Sequence, residues 1–468
     1  MIIRSEETIC APATATGGAI AVIRISGPET TAICEKIFRP FDKNAHLNDQ
    51  KGYTVLFGEI FSGDVVIDEV LVTVFRAPHS YTGENSIEIS CHGSPFIVRK
   101  ILELLITNGA NAAKPGEFTR RAFFNGKMDL LQAEAVADIV ASKTRASHKI
   151  AINQMRGGFS GEIRKLRQEL LNFASLIELE LDFGEEEVEF ADRTKLKVII
   201  RRVKDISDKL AGSFKLGNAL KNGIQVAIVG KPNSGKSTLL NALLMEDRAL
   251  VSEIPGTTRD SIEDSVVIDG IEYRFIDTAG LRETSDIIEM MGIKKTHEKI
   301  DQASVILLTD EISDTPESIN KRMSLLREMT RESDKKLILL INKIDLSPED
   351  HQIELAGKID LEDSDSLLFI SAKEKTGLED LRTKLSEIVM KERLSSDDVI
   401  ITNIRHYEAL KNVSESLGRV MSGLEDQIPE DLIAIDIRQA IHYLGEITGE
   451  ITSDEILGNI FRNFCIGK

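Results

Sequence analysis

The chain has 468 residues, 42% of them hydrophobic and 29% charged, with a formal net charge of −18. That length exceeds what one hydrophobic core supports, so roughly two to four domains are expected, and the acidic balance argues against a surface coated for DNA. No apolar run reaches the ~18 residues of a membrane span, and the opening MIIRSEETICAPATATGG has acids where a secretory signal needs an apolar core, so the expected location is the cytoplasm.

Residues 1–125 mix β-branched strand patterns (AIAVIRIS, VVIDEVLVTVF, SIEISCHG) with one helix over about 95–108. Turn signals fall at Gly17-Gly18, Ser62-Gly63-Asp64 and Asn125-Gly126, and the whole reads as an α+β domain. From 126 to 215 the pattern changes. LLQAEAVADIVASKT, IRKLRQELLNFASLIELELDF and TKLKVIIRRVKDISDKLAGSF place apolar residues three and four apart, as amphipathic helices do. Within this block residues 143–167 carry seven Lys/Arg against the single acid Glu162, and 178–192 carry eight acids and no base. Such runs are ordinarily solvated helix faces.

Residues 216–385 alternate strands and helices: IQVAIVG, a helix from Gly235, SVVID, YRFIDTAG, ASVILLTD, KLILLINKID and LLFISAK. Alternation of this kind predicts a mostly parallel sheet covered on both faces. Helical patterns return in 403–424 and 431–461, within a last segment of 386–468. The predicted fold class is therefore multidomain α/β plus α. An α+β N-terminal domain precedes a helical domain (126–215 and 386–468), which is interrupted by an inserted Ras-like P-loop G domain. The four cysteines, Cys10, Cys34, Cys91 and Cys465, lie too far apart for a disulfide framework or a cysteine-built zinc site. The Ile-Gly-Lys that follows Cys465 does not suit prenylation.

The inserted block carries the chemistry. Gly230-Lys231-Pro232-Asn233-Ser234-Gly235-Lys236-Ser237 fits G-x-x-x-x-G-K-[ST] between an apolar strand and a helix. Its glycines let backbone N–H groups converge on phosphates at a helix N-terminus. Lys236 would reach the β- and γ-phosphates, the Ser237 hydroxyl would ligate Mg²⁺, and Thr238 continues the loop into the helix. Asp277-Thr278-Ala279-Gly280 closes a strand, where Asp277 can hold the magnesium through water and the Gly280 amide can sense the γ-phosphate. Asn342-Lys343-Ile344-Asp345 follows KLILLI. The Asp345 carboxylate can accept both the N1–H and the exocyclic amine of guanine, a pair of donors adenine lacks. Ser371-Ala372-Lys373 completes the base pocket. Together these motifs predict GTP as the substrate.

Many GTPases place a glutamine after DTAG to orient the attacking water. Here that residue is Leu281, whose alkyl chain cannot hold a water, leaving Arg282, Glu283, Asp286 and Glu289 as alternatives. The stretch VSEIPGTTRD, with Ser252, Glu253, Ile254, Pro255, Gly256, Thr257 and Thr258, supplies the other expected switch. Thr257 and Thr258 are its magnesium or γ-phosphate contacts.

Taken together, GKPNSGKS, IPGTTRD and DTAGLRETSD, with the closing Cys465-Ile466-Gly467-Lys468, resemble the MnmE (TrmE) family of tRNA-modification GTPases. RISG (24–27), YTGENSIEISCHG (81–93), PGEFTRRAFFNGKMDLLQAEA (115–135) and DFGEEEVEF (182–190) extend the resemblance over essentially the full chain. The resemblance implies a homodimer whose N-terminal domain is similar to tetrahydrofolate-binding domains and mediates dimerisation. It implies a partner, the FAD-carrying MnmG (GidA)-like flavoprotein, in a heterotetramer that acts on tRNA. The reaction implied modifies C5 of the wobble uridine with a one-carbon unit from 5-formyl- or 5,10-methylene-tetrahydrofolate, installing an aminomethyl or carboxymethylaminomethyl group.

The resemblance further implies a K⁺ beside the phosphates, held by Asn233, Ser252, Ile254 and Thr257, where other GTPases use an arginine finger. Glu289 matches the glutamate that positions the water, and Thr258 joins Ser237 as a magnesium ligand. Arg24, Glu88, Lys127 and Lys468 match folate-contacting positions, with basic groups suited to the folate carboxylates. Cys465 matches a thiol available to the modification chemistry, so the implied catalytic set is Lys236, Glu289 and Cys465. Two other classes fit parts of the sequence. A ribosome-assembly GTPase would share the nucleotide motifs, yet no GXXG-type KH signature stands at either end and the N-terminal domain and tail would have no role. A folate-dependent transferase with a vestigial G domain conflicts with the intact nucleotide motifs.

Overall fold

In the computed structural model the described residues are 7–182, 193–248, 264–276, 300–331, 335–362, 365–390, 399–426, 428–462, 464 and 467. The chain forms two compact units, one of residues 1–141, 150–208 and 408–468, the other of 142–149 and 209–407.

The first unit opens with a seven-stranded sheet. Its strands are β1 (Ile9–Pro12), β2 (Ile20–Ser26), β3 (Phe38–Pro40), β4 (Thr54–Ser62), β5 (Val65–Phe75), β6 (Ser86–His92) and β7 (Asn111–Ala112). They are ordered β3-β4-β5-β6-β2-β1-β7, antiparallel except for the β1–β7 pair. Alternation decides the faces. Ile23, Ile25, Val70, Val72, Val74, Ile87, Ile89 and Cys91 point to one side and pack on Ile33 of the helix Thr30–Glu35 and on Val98, Ile101 and Leu105 of the helix Pro95–Thr107. The intervening residues Arg24 and Glu88 face the other way, and register sets them directly opposite each other.

The remaining helices of this unit owe their form to four-three apolar spacing. In Gly158–Asp182 the buried residues include Phe159, Ile163, Leu166, Leu170, Phe173 and Ile177; in Glu430–Thr448 they include Ile433, Ile437, Ala440, Leu444 and Ile447. These two helices pack on each other. The expected helical run 431–461 is two helices, Glu430–Thr448 and Asp454–Arg462. Gly449 ends the first with φ of 84°, and a Cβ there would come within 2.7 Å of Leu130 Cβ. The second carries Leu457 and Phe461 onto Leu130 and Ala133 of the helix Leu130–Ala141. The acidic run 183–192 lies outside the described residues.

The second unit is built on a six-stranded sheet of β8 (Ile224–Val229), β9 (Asp264–Ile268), β10 (Ile271–Phe275), β11 (Val305–Glu311), β12 (Lys336–Asn342) and β13 (Ser366–Phe369). The order is β13-β12-β11-β8-β10-β9, parallel throughout except for the edge strand β9. Its central strands are apolar on both sides. Ile224, Val226 and Ile228 enter one core with Leu239, Leu240 and Leu243 of the helix Lys236–Arg248, and Ala227 and Val229 enter the other with Ile319 and Met323 of the helix Pro316–Thr330. This explains why these segments read as continuous hydrophobic runs. A short helix, Phe214–Asn222, leads into β8 and was not anticipated from the sequence pattern. Among the described residues no helix is long and apolar enough to cross a membrane.

Candidate functional site

In an open parallel sheet, ligands bind beyond the carboxyl ends of the strands. Here β8 ends at Val229, β11 at Glu311 and β12 at Asn342, and the loops that follow them converge. The phosphate loop leaves β8 at Gly230, whose φ is 151°. A Cβ at Gly230 would meet Thr309 O at 2.2 Å, and one at Gly235 (φ 91°) would meet Asn342 Nδ2 at 2.1 Å. Both glycines are therefore required by φ and by close packing. Asn233 between them adopts φ of 66°, the left-handed region that asparagine tolerates, and is exposed. Lys236 opens the helix and donates to the carbonyls of Gly230 (3.0 Å) and Lys231 (2.6 Å), which holds its ammonium over the loop. Ser237 is half-buried beside it and Thr238 is exposed.

One asparagine stitches the site together. Asn342, 2% exposed, donates from Nδ2 to Ser234 O at 2.9 Å and accepts at Oδ1 from the Ala372 N–H at 3.0 Å. The phosphate loop, the loop after β12 and the loop after β13 thus meet on a single side chain. Lys343 follows with φ of 66°, and a 3-10 turn, Ile344–Leu346, presents Asp345. Ser371 Oγ donates to Asp345 Oδ1 at 2.6 Å and accepts from the Glu374 N–H at 3.2 Å, orienting the carboxylate. Lys373 is exposed at the rim. The structure therefore brings together Asn233, Ser234, Gly235, Lys236, Ser237, Thr238, Asn342, Lys343, Asp345, Ser371, Ala372 and Lys373. Ser252, Glu253, Ile254, Pro255, Gly256, Thr257, Thr258, Asp277, Thr278, Ala279, Gly280 and Glu289 lie outside the described residues.

A second constellation sits on the open face of the first sheet. Arg24 donates from Nε to Glu88 Oε1 at 2.9 Å and from Nη1 to Gly467 O at 3.3 Å, a contact across 443 residues of chain. The rings of Tyr81 and Phe118 lie 5.1 and 5.6 Å from the guanidinium carbon. Gly467 has φ of 97°, and a Cβ there would meet Pro12 O at 2.1 Å, so the tail fits this place only as glycine. Lys127 is exposed and donates to Pro78 O at 3.0 Å. Beneath the loop that carries Tyr81, Ser26, Thr82 and Ser86 share hydroxyl hydrogen bonds, while Arg121 pairs with Glu84 and Glu117. Burial pushes the Tyr81 phenol above its ordinary range, against the pull of the Thr119 hydrogen bond and Arg24. Sequence reasoning did not single out Tyr81, Phe118 or Arg121. Tyr81 lies within YTGENSIEISCHG, and the other two within PGEFTRRAFFNGKMDLLQAEA. Cys465 and Lys468 lie outside the described residues.

Comparison with known proteins decides the family. Residues 8–127 match the family model of the GTP-binding protein TrmE N-terminus, and residues 130–465 match that of the MnmE helical domain. The chain is 50% identical over 466 residues to a tRNA modification GTPase MnmE of Bacteroides thetaiotaomicron, covering 99% of this chain and 100% of that one. The relative of the same name from Flavobacterium johnsoniae is 52% identical over 466 residues, with the same coverage. The chain belongs to the MnmE family of tRNA modification GTPases. Among solved structures, Era in complex with MgGDPNP and 16S ribosomal RNA is 27% identical over 41% of this chain and 66% of that one, with a TM-score of 0.26.

For an MnmE-family GTPase the first site has a direct reading. Lys236 stands over the phosphate loop at the start of its helix, and Asp345 is held by Ser371 in the loop after β12. Of the expected magnesium ligands only Ser237 is among the described residues, and its position in the first turn of the helix, beside Lys236, suits that ion.

Proposed function

We propose that this tRNA-modifying GTPase hydrolyses GTP with potassium and serves a folate-dependent modification at C5 of the wobble uridine, together with a flavin-carrying MnmG-like partner. The observation that carries the folate half is Arg24, which joins Glu88 and the carbonyl of Gly467 on one sheet face. Glu88 offers a carboxylate to the N–H and amine edge of a pterin, and Tyr81 and Phe118 supply aromatic walls. Lys127 and Lys468 suit the glutamyl carboxylates. A bound folate supplies the one-carbon unit; the chain's residues bind it and orient it, with Cys465 nearby in sequence as a thiol. In this reading the protein is a cytoplasmic homodimer through residues 1–125, and the G domain of 216–385 is inserted between helical parts 126–215 and 386–468.

On the nucleotide side, this reading gives K⁺ to Asn233 with Ser252, Ile254 and Thr257. Glu289 takes the water-positioning role that Leu281 cannot. GTP turnover should then be faster in K⁺ than in Na⁺ at matched ionic strength, and equal rates would remove potassium from the proposal. The decisive experiment is mass spectrometry of wobble uridines from cells lacking the protein and complemented with wild type or Arg24→Ala. Modification should return with the wild type and not with the variant. Full modification with Arg24→Ala would refute the folate site.

A further inference from the structure

The geometry points to Glu311 as a positioning residue for bound guanine nucleotide, its carboxylate strapping Lys231 of the phosphate loop to Lys343 of the guanine loop and so slowing nucleotide release. This rests on the nucleotide-site reading above and adds a residue that no nucleotide motif contains.

Glu311 is the last residue of β11, in register with Asn342 at the end of β12, and the next residue, Ile312, donates its N–H to Asn342 O at 2.9 Å. The two carboxylate oxygens serve two loops. Oε1 accepts from Lys343 Nζ at 2.6 Å, and Oε2 lies 3.4 Å from Lys231 Nζ. The carboxylate is itself held. Asp314 Oδ2 accepts the Glu311 N–H at 3.1 Å, and Asp314 Oδ1 takes the other side of Lys231 at 2.6 Å. Arg322 closes the cluster, donating to Asp314 Oδ2 at 3.3 Å and to the buried Asp310 at 3.1 Å.

The charges suit a strap. Burial alone would push the Glu311 carboxyl up, but the hydrogen bond from Lys343 and the charges of Lys231 and Lys343 outweigh it and hold the group below its ordinary range. Glu311 is 16% exposed and the two lysines 31% and 34%, so the pairs are screened only in part. With Glu311 neutral, Asp314 still anchors Lys231, whereas Lys343 loses the one carboxylate within hydrogen-bond reach of it among the described residues.

Nucleotide spans both loops: phosphates on 230–237, base on 342–345. Release requires the loops to part, and an ionic contact across them opposes that parting. Differences of this kind in a binding site are expressed mainly in the dissociation rate.

The test uses the full chain and mant-GDP, chased with excess GDP at low and at high salt. Glu311→Gln should release the nucleotide about tenfold faster at low salt, with the gap to wild type closing at high salt. Lys343→Met should also release faster, and the double variant should be no faster than the faster single, because both changes cut one contact. The nucleotide-free melting temperature of Glu311→Gln should fall only slightly, because part-exposed ion pairs contribute little to stability. A release rate for Glu311→Gln within about twofold of wild type, or effects of the two substitutions that multiply, would overturn the proposal. A wild type that holds no mant-GDP would instead overturn the nucleotide-site reading on which it rests.

Discussion

The two sites are built by opposite means. Around Gly230–Ser237 the backbone makes the site: two glycines and Asn233 take positive φ angles, and the loop runs straight into the N-terminus of the helix Lys236–Arg248. On the N-terminal sheet the side chains make it. Arg24, Glu88, Tyr81, Phe118 and the Gly467 carbonyl come from four stretches of chain and meet only because β2 and β6 are in register and the tail returns to them. A backbone site is written in eight consecutive residues, whereas an assembled site has no local signature. The first therefore tolerates no change of conformation, and the second depends on distant packing.

The largest effect that sharpens this contrast is a double dissociation. In the proposed reading the Lys236 ammonium stabilises charge that develops on the phosphates, so Lys236→Ala should lower single-turnover GTP hydrolysis by about 10²–10³-fold. Arg24→Ala should leave that rate within about twofold of wild type. A comparable loss of hydrolysis in Arg24→Ala would break the separation of the two sites.

A smaller effect is expected at Asn342, a side chain of the nucleotide site that joins distant segments as the assembled site does. Asn342→Ala strands the Ser234 carbonyl and the Ala372 N–H, each buried or nearly so. Unsatisfied buried groups cost roughly 1–3 kcal/mol. GDP affinity should fall by about 10–100-fold in a titration. An unchanged affinity would mean that the three loops are held by backbone alone.

This division also explains what the sequence disclosed. The phosphate loop and the strands β8, β11 and β12 were legible because a motif and continuous apolar runs are local properties. The helices with four-three spacing were legible for the same reason. The short helix Phe214–Asn222 was not, because it follows Gly212-Ser213 and extends the preceding amphipathic pattern with little signal of its own. The break at Gly449 was overlooked because isolated glycines occur within helices, and only the approach to Leu130 shows why this one ends its helix. Arg24 and Glu88 were reached through resemblance alone. Unaided, each reads as a surface ion-pair residue, and their pairing depends on strand register. Glu311 carried no signal, since its lysine partners lie in other loops, and Arg121 showed only the ordinary i,i+4 pair with Glu117, its contact to Glu84 being set by the fold.

The smallest effect tests whether a carboxylate on the same sheet as the nucleotide site can matter to stability without touching release. Glu272 on β10 is 7% exposed at its side chain and accepts from Lys143 at 3.2 Å and from Arg274 at 3.0 and 3.1 Å. Burial would raise its pKa, but the hydrogen bond from Ser265 and the charges of Arg274 and Lys143 bring it below the ordinary 4.5. A group whose folded pKa is depressed contributes stability at pH values above its unfolded pKa and loses it as pH falls through the folded one. Glu272→Gln should therefore cost about 1 kcal/mol near neutrality, a modest figure because Lys143 is largely exposed. The gap between wild type and variant in urea midpoint should shrink as pH is lowered through the carboxylate range, while mant-GDP release stays the same in both. A gap that holds constant or widens towards acid would show that the charge of Glu272 is not what stabilises β10, and altered release would tie this strand to the nucleotide loops.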